Sequence, residues 1–168
     1  MFFLLIREFE MLLWKCRRMV GSFKNPHITS SPMVEIRRYQ TTDYLAVKRI
    51  LEAGGLFWGV SDSRERLGRK IQDDPDSILV AVEDERVVGT QFIITDFMPF
   101  LFRLAVHPEY RKRGIGTELM QRAEELLRER GHNHVNILVL TTDTKLQEAY
   151  RRKGYENGRE YRWMTKEL

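Results

Sequence analysis

Apolar and polar residues alternate along Val34–Tyr39, the period of a strand with one buried face. Thr41-Thr42-Asp43 then offers an N-cap ahead of Tyr44–Ala53, where apolar residues recur at helical intervals until Gly54 and Gly55. After the aromatic loop Phe57-Trp58-Gly59-Val60, Ser61 or Asp62 can cap a second helix that runs to about Gln72 and stops at Asp73-Asp74-Pro75. The β-rich runs Ile78–Val82 and Val87–Thr95 flank the polar turn Glu83–Arg86, and Leu101–Val106 follows the Met98-Pro99 break. Gly116–Arg130 reads as the clearest helix, with Ile115, Leu119, Ala123, Leu126 and Leu127 on one stripe and Gly131 at its end. Val135–Leu140 is apolar at every position but Asn136, close to the pattern of a strand covered on both faces. A short helix at about Lys145–Lys153 and strands around Tyr155–Glu160 and Tyr161–Lys166 complete the expected order β-α-α-β-β-β-α-β-α-β-β.

Residues 1–32 stand apart from this pattern. Phe2, Leu5, Ile6, Phe9, Leu12 and Leu13 fall at helical spacing, so an amphipathic helix is one reading. The other is that Met33 begins the protein proper and the leader is an upstream extension of the reading frame; the Ser30-Ser31-Pro32 break fits such a boundary. A membrane span needs about 20 apolar residues, and Arg7, Glu8 and Glu10 interrupt this one too early. The basic cluster Lys15–Arg18 follows the apolar run instead of preceding it, which argues against a secretion signal. The expected organisation is therefore an extension over 1–32 and one domain over 33–168.

Composition narrows the function classes. At 168 residues, with 42% hydrophobic and 31% charged, the chain suits one globular domain with its own core. The lone cysteine, Cys16, cannot form an internal disulfide, so a reducing cytoplasmic setting is expected. Of the formal charge of +4, residues 1–32 supply +3 from five bases and two acids, leaving 23 bases and 22 acids in the rest. A body that close to neutral makes no case for a nucleic-acid partner, and none for a membrane.

Candidate chemistry concentrates in Leu104-Ala-Val-His-Pro-Glu-Tyr-Arg-Lys-Arg-Gly-Ile-Gly-Thr-Glu-Leu119. A strand runs into Pro108, then a basic loop, then Gly114 and Gly116 at the mouth of a long helix. Glycine in a helix costs about 1 kcal/mol relative to alanine, so two of them need a local reason. Backbone without Cβ lets an anion approach several N–H groups at a helix start, where the dipole also favours negative charge. Arg111, Lys112 and Arg113 place cationic donors beside it. The arrangement reads as a pyrophosphate site. A Walker A loop is excluded because no Lys-Ser/Thr follows the glycines, and a dinucleotide fingerprint because the glycines are too few.

Val106-His-Pro-Glu-Tyr-Arg-Lys-Arg-Gly-Ile-Gly116 resembles motif A of the GNAT superfamily of N-acetyltransferases, whose Arg/Gln-x-x-Gly-x-Gly/Ala loop holds the CoA pyrophosphate. Ala149-Tyr-Arg-Arg-Lys-Gly-Tyr155 resembles the family's later Tyr-x-x-x-Gly-Phe/Tyr motif, and Tyr161–Leu168 is similar to its closing strand. The resemblance spans Met33–Leu168. It implies an α+β fold in α/β/α layers, with a mixed, mostly antiparallel sheet splayed between strands 4 and 5, here Leu101–Val106 and Val135–Leu140. It implies acetyl-CoA as co-substrate, an amine acceptor, no metal, and leaves a homodimer open. Cofactor contacts then fall to the backbone of Leu104, Ala105 and Val106, to the loop Arg111, Lys112, Arg113, Gly114, Ile115, Gly116 and Thr117, and to Asp143, which stands where the family often has asparagine. Tyr150 takes the place of the general acid that protonates the departing thiolate.

Other positions depart from the family. The fifth-strand glutamate that serves as base in the ribosomal-protein acetylating subgroup is matched, by spacing from Tyr150, by Leu138. Asp96, His107 or a water chain are the remaining base candidates. Acceptor contacts fall to Phe57, Trp58, Asp62, Arg103 and Tyr161. The absent carboxylate at Leu138 also supports an alternative, a non-catalytic acyl-CoA sensor.

Overall fold

The computed structural model describes residues 33–96 and 98–166; the helical face read over Phe2–Leu13 lies outside them. The elements are β1 (Glu35–Arg38), α1 (Tyr44–Ala53), α2 (Arg64–Asp73), β2 (Ile78–Glu83), β3 (Arg86–Ile94), β4 (Phe100–Val106), α3 (Ile115–Glu129) and α4 (Thr144–Arg151). Both interior helix starts with side-chain caps carry residues suited to the task. Ser63 accepts from the Arg66 amide at the head of α2, and Asp143 accepts from Leu146 at the head of α4.

The strands form one antiparallel sheet in the order β1-β2-β3-β4. Apolar residues on its two faces serve two cores, because successive strand residues point to opposite sides. On one face Leu79, Ala81, Val88, Ile93 and Leu101 meet the α3 stripe Ile115, Leu119, Ala123, Leu126 and Leu127. On the other, Ile78, Val80, Phe92 and Ala105 meet Val47, Ile50 and Leu51 of α1 and Leu67 of α2. The result is the α/β/α layering expected from the sequence.

The second half of the sheet differs from expectation. Residues 135–140 do not form a fifth strand: one parallel bridge joins Asn136 to Phe100, and no ladder follows among the described residues. Asn136 donates its amide to Pro99 O at 2.9 Å and accepts from Leu101 N at 2.9 Å. Its side chain adds a third bond to Pro99 O at 3.0 Å. Beyond that clamp the segment leaves β4, and Leu138 and Leu140 are 54% and 76% exposed. The sheet's mixed character and its opening past strand 4 thus reside in a single bridge. The strands expected around Tyr155–Glu160 and Tyr161–Lys166 are also absent; those residues run without ladder bonds and, but for Tyr155, are exposed. A strand needs a partner for its backbone groups as well as a side-chain period, and Glu156-Asn-Gly-Arg-Glu160 offers little apolar surface to recruit one.

Arg130, just past α3, grips the α2–β2 connection, donating to Asp74 at 2.7 and 2.8 Å and to Asp76 at 2.9 Å. Chiefly through that bond, Asp74 is held down at about 2. A carboxylate with a depressed folded-state value adds stability above its unfolded value, near 3.9, and loses it as pH falls through 2. Arg130→Gln should therefore lower stability at pH 6 by about 0.5–1 kcal/mol, the range for a solvent-screened pair. In urea melts the difference from wild type should shrink below pH of about 4 and vanish only once pH has fallen below about 2.

Candidate active site

The loop between β4 and α3 is shaped by backbone conformation and by two internal bonds. Lys112 and Gly114 have φ of 62° and 87°, and Gly114 is the N-cap of α3. Left-handed residues on either side of Arg113 turn successive N–H groups toward one side, the geometry of an anion nest. Gly114 O accepts from Thr117 N at 2.8 Å and Glu118 N at 3.1 Å, which closes the first helical turn. Among the described residues, the N–H groups of Lys112, Arg113, Gly114, Ile115 and Gly116 meet no acceptor. Five consecutive free donors at the positive end of a 15-residue helix are suited to a diphosphate.

The three loop bases divide their work in a way the sequence did not reveal. Arg113 does not stand free beside the anion position. It forms a two-pronged ion pair with Glu83 at the end of β2 and lies 5.3 Å from the Tyr110 ring centre. Glu83 is only 5% exposed, and a buried carboxylate without a partner would cost several kcal/mol, on the order of 3–5. Arg111 turns its Nε to Val106 O at 3.0 Å. Lys112 is exposed and has no anionic partner among the described residues, and the exposed Arg111 has none either beyond its Nε bond, so these two cations are the ones left for a ligand. Glu83, which tethers the loop, carried no motif signal: it reads as the first residue of a polar turn. Glu83→Gln should weaken CoA binding about fivefold in calorimetry, by releasing Arg113, while kcat at saturating cofactor stays within twofold of wild type.

The loop sits against β4. A Cβ placed on Gly116 would lie 3.7 Å from Val106 Cγ2 and 3.9 Å from Leu104 Cδ2, so the mouth of α3 and the end of β4 are neighbours. His107 N donates to Val88 O at 2.8 Å, which fixes the ladder alternation here. Ala105, two residues back and paired with Thr90, turns its backbone groups to β3 as well, leaving Leu104 and Val106 to face the free edge. Of the three backbone positions expected to meet the pantetheine arm, Leu104 and the Val106 N–H are thus available, whereas Val106 O is taken by Arg111 and Ala105 faces β3.

β4 is bulged at this point. Thr90 pairs with Ala105 and Phe92 with Phe102, so Arg103 and Leu104 together oppose Gln91. Arg103 has φ of 51°, a conformation that costs a non-glycine residue about 1–3 kcal/mol. Asp62, 2% exposed, offsets it: Arg103 donates from Nε to Asp62 Oδ2 at 3.1 Å and pairs through Nη2 with Oδ1 at 3.0 Å. Asp62 also accepts from Trp58 N at 2.7 Å. The guanidinium lies 5.4 Å from the Trp58 ring centre and 5.6 Å from that of Phe92. Trp163 meets Trp58 edge-on at 6.3 Å. Three expected acceptor residues, Trp58, Asp62 and Arg103, therefore assemble beside the bulge. Phe57 instead lies under Lys48 Nζ at 5.4 Å, and Tyr161 is 77% exposed.

α4 joins the site through α3. Lys153 Nζ donates to Thr117 Oγ1 at 2.6 Å, and the Tyr155 hydroxyl donates to Glu124 at 2.8 Å. Tyr150 packs edge-on against Tyr155, with ring centres 5.5 Å apart. Burial pushes the Tyr150 phenol above its ordinary value, so it holds its proton at neutral pH. The Asp143 carboxylate caps α4 through Oδ1, a structural duty added to the cofactor contact expected of it. The base candidates separate: Asp96 lines a cavity of about 450 Å³ with Arg66, Lys70 and Asp73, whereas His107 packs edge-on against Tyr110 at the head of the loop.

Known proteins share the fold and the family of this chain. An acetyltransferase of Sodalis glossinidius is 32% identical over 124 residues, covering 73% of this chain and 87% of that protein. The PaiA N-acetyltransferase of Thermoplasma acidophilum, solved with coenzyme A, shares the fold at a TM-score of 0.63 and 21% identity, over 74% of this chain and 90% of that one. An aminoglycoside N-acetyltransferase solved with CoA shares it at 0.67 and 17% identity, over 84% and 100%. The family model described as "Acetyltransferase (GNAT) family" matches residues 42–155, which include the loop, β4 and Tyr150, and the chain belongs to that family as an N-acetyltransferase.

Proposed function

We propose that this N-acetyltransferase moves the acetyl group of acetyl-CoA directly to the primary amine of a small molecule or peptide. The observation that carries the reading is the row of free amides at Lys112–Gly116 beside the open edge of β4. In this reading the amides and the Lys112 ammonium hold the diphosphate, and Leu104 and Val106 align the pantetheine arm as an added strand would. A free backbone N–H at the bulge polarises the thioester carbonyl as an oxyanion donor. The neutral amine attacks the carbonyl carbon, the C–N bond forms, the C–S bond breaks, Tyr150 gives its proton to the leaving thiolate, and the proton lost from the acylated nitrogen returns through water to the Tyr150 phenolate. The attacking ammonium loses its proton first, through Asp96, His107 or water, because its ordinary value lies near that of lysine.

Trp58, Asp62 and Arg103 form the acceptor wall in this reading, with Trp163 beside them. We assign the catalytic domain to residues 33–168. No described helix is long and apolar enough to cross a membrane. The lone cysteine and the co-substrate favour the cytoplasm, and a homodimer belongs to the same reading. The test is to incubate the full chain with acetyl-CoA and a panel comprising an aminoglycoside, a polyamine and a peptide with a free amino terminus, following thiol release. Amine-dependent release is expected; cofactor-induced thermal stabilisation with no release under any amine would contradict the proposal.

A further inference from the structure

Gln91 stands in the middle of β3 and is 1% exposed. Its Nε2 donates to Phe102 O at 2.6 Å and to Phe92 O at 3.0 Å, across and along the ladder. Its Oε1 is buried and meets no donor among the described residues. A position kept for packing alone would favour an apolar side chain, since an amide with an unpaired buried oxygen is unfavourable. What sets Gln91 apart from its neighbours is what it faces: it is the single residue opposite the extra one in β4, Arg103 together with Leu104.

We infer that Gln91 is a positioning residue for the acetyl-transfer step. An extra residue in a ladder leaves a local gap in the backbone bonding. The Gln91 amide fills it by taking the Phe102 carbonyl, which anchors the near side of the bulge. Asp62 anchors the outer side through the Arg103 guanidinium. Between the two anchors, the Arg103–Leu104 peptide group is held toward the free edge of β4, where the thioester lies in the proposed function. The inference rests on that reading and assigns Gln91 an effect on the chemical step, not on cofactor affinity. The diphosphate grip is built from a separate segment, Lys112–Gly116.

The test compares Gln91→Met, of similar length but without a donor, with Thr90→Val on the same strand, which removes the buried Thr90 Oγ1 bond to Leu79 O of β2 and leaves the backbone pairing with Ala105 in place. With acetyl-CoA and the fastest amine of the panel, Gln91→Met should lower kcat at least tenfold, while calorimetry with CoA gives a Kd within twofold of wild type. Hydrogen exchange at the Ala105 amide, which faces β3, should quicken relative to the core amides of α3. Thr90→Val should lose thermal stability but keep kcat within twofold. Should Gln91→Met fail to fold, Gln91→Asn carries the comparison, since its amide is too short to reach Phe102 O. Wild-type kcat in either folded Gln91 variant overturns the inference, as does a parallel loss of kcat, CoA affinity and Tm. Those failures leave wild-type activity intact, whereas a wild type that releases no CoA with any amine removes the acetyl-CoA reading and this inference together.

Discussion

Tyr150→Phe is expected to lower kcat by about a hundredfold or more, the range for loss of a general acid, with CoA affinity within twofold of wild type. The phenol packs on Tyr155, which is anchored to Glu124 of α3, so a phenylalanine ring keeps the same packing and removes only the proton donor. Burial raises the Tyr150 value; a raised folded value means the proton is kept to higher pH than in a free tyrosine. The alkaline loss of wild-type kcat due to this group should therefore fall above pH of about 10, and should be missing from the residual activity of the variant. Steady-state rates from pH 7 upward, paired with calorimetric CoA titration, check both statements. A loss of affinity equal to the loss of kcat would make Tyr150 a packing residue.

Gly114→Val is expected to weaken CoA binding at least tenfold. Valine at φ of 87° is strained by about 1–2 kcal/mol or more relative to glycine, and 1.4 kcal/mol corresponds to a tenfold change in equilibrium. No steric contact would hide the effect, since the closest atom to a Cβ there is Glu118 Oε1 at 3.9 Å. The strain instead reopens the turn that Gly114 O closes with Thr117 and Glu118, which disperses the donors at Lys112–Gly116. Because the loop is exposed, most of the change should appear in affinity, with a smaller decline in Tm.

The elements legible in sequence were those specified by local signals. Tyr44–Ala53 has a helical period bounded by Asp43 and Gly54, and the helix occupies those same residues. The stripe from Ile115 to Leu127 determined both the position of α3 and the face it buries. Gly114 and Gly116 located the loop because their chemistry is local to one turn. What the sequence concealed depends on partners distant along the chain. The pairing of Arg113 with Glu83 spans 30 residues, and nothing at either position distinguishes a tether from a solvated charge. Gln91 was absorbed into an apolar run, and only the register shift opposite it shows why an amide stands there. Val135–Leu140 had the period and composition of a strand but, past Asn136, no ladder partner. Asp62 and Arg103 were both candidate acceptor residues, yet their mutual bond emerges only where the α1–α2 connection meets the bulge.

The proposed chemistry depends on main-chain amides at the start of α3 holding a diphosphate. It is tested most directly by titrating the isotopically labelled protein with CoA and, separately, with pantetheine, which lacks the diphosphate, while following backbone amide resonances. CoA should shift the amides of Lys112 through Gly116 more than any others in the chain, and pantetheine should leave them nearly unmoved at the same occupancy. Equal shifts with both ligands, or CoA-induced shifts confined to other segments, would contradict it.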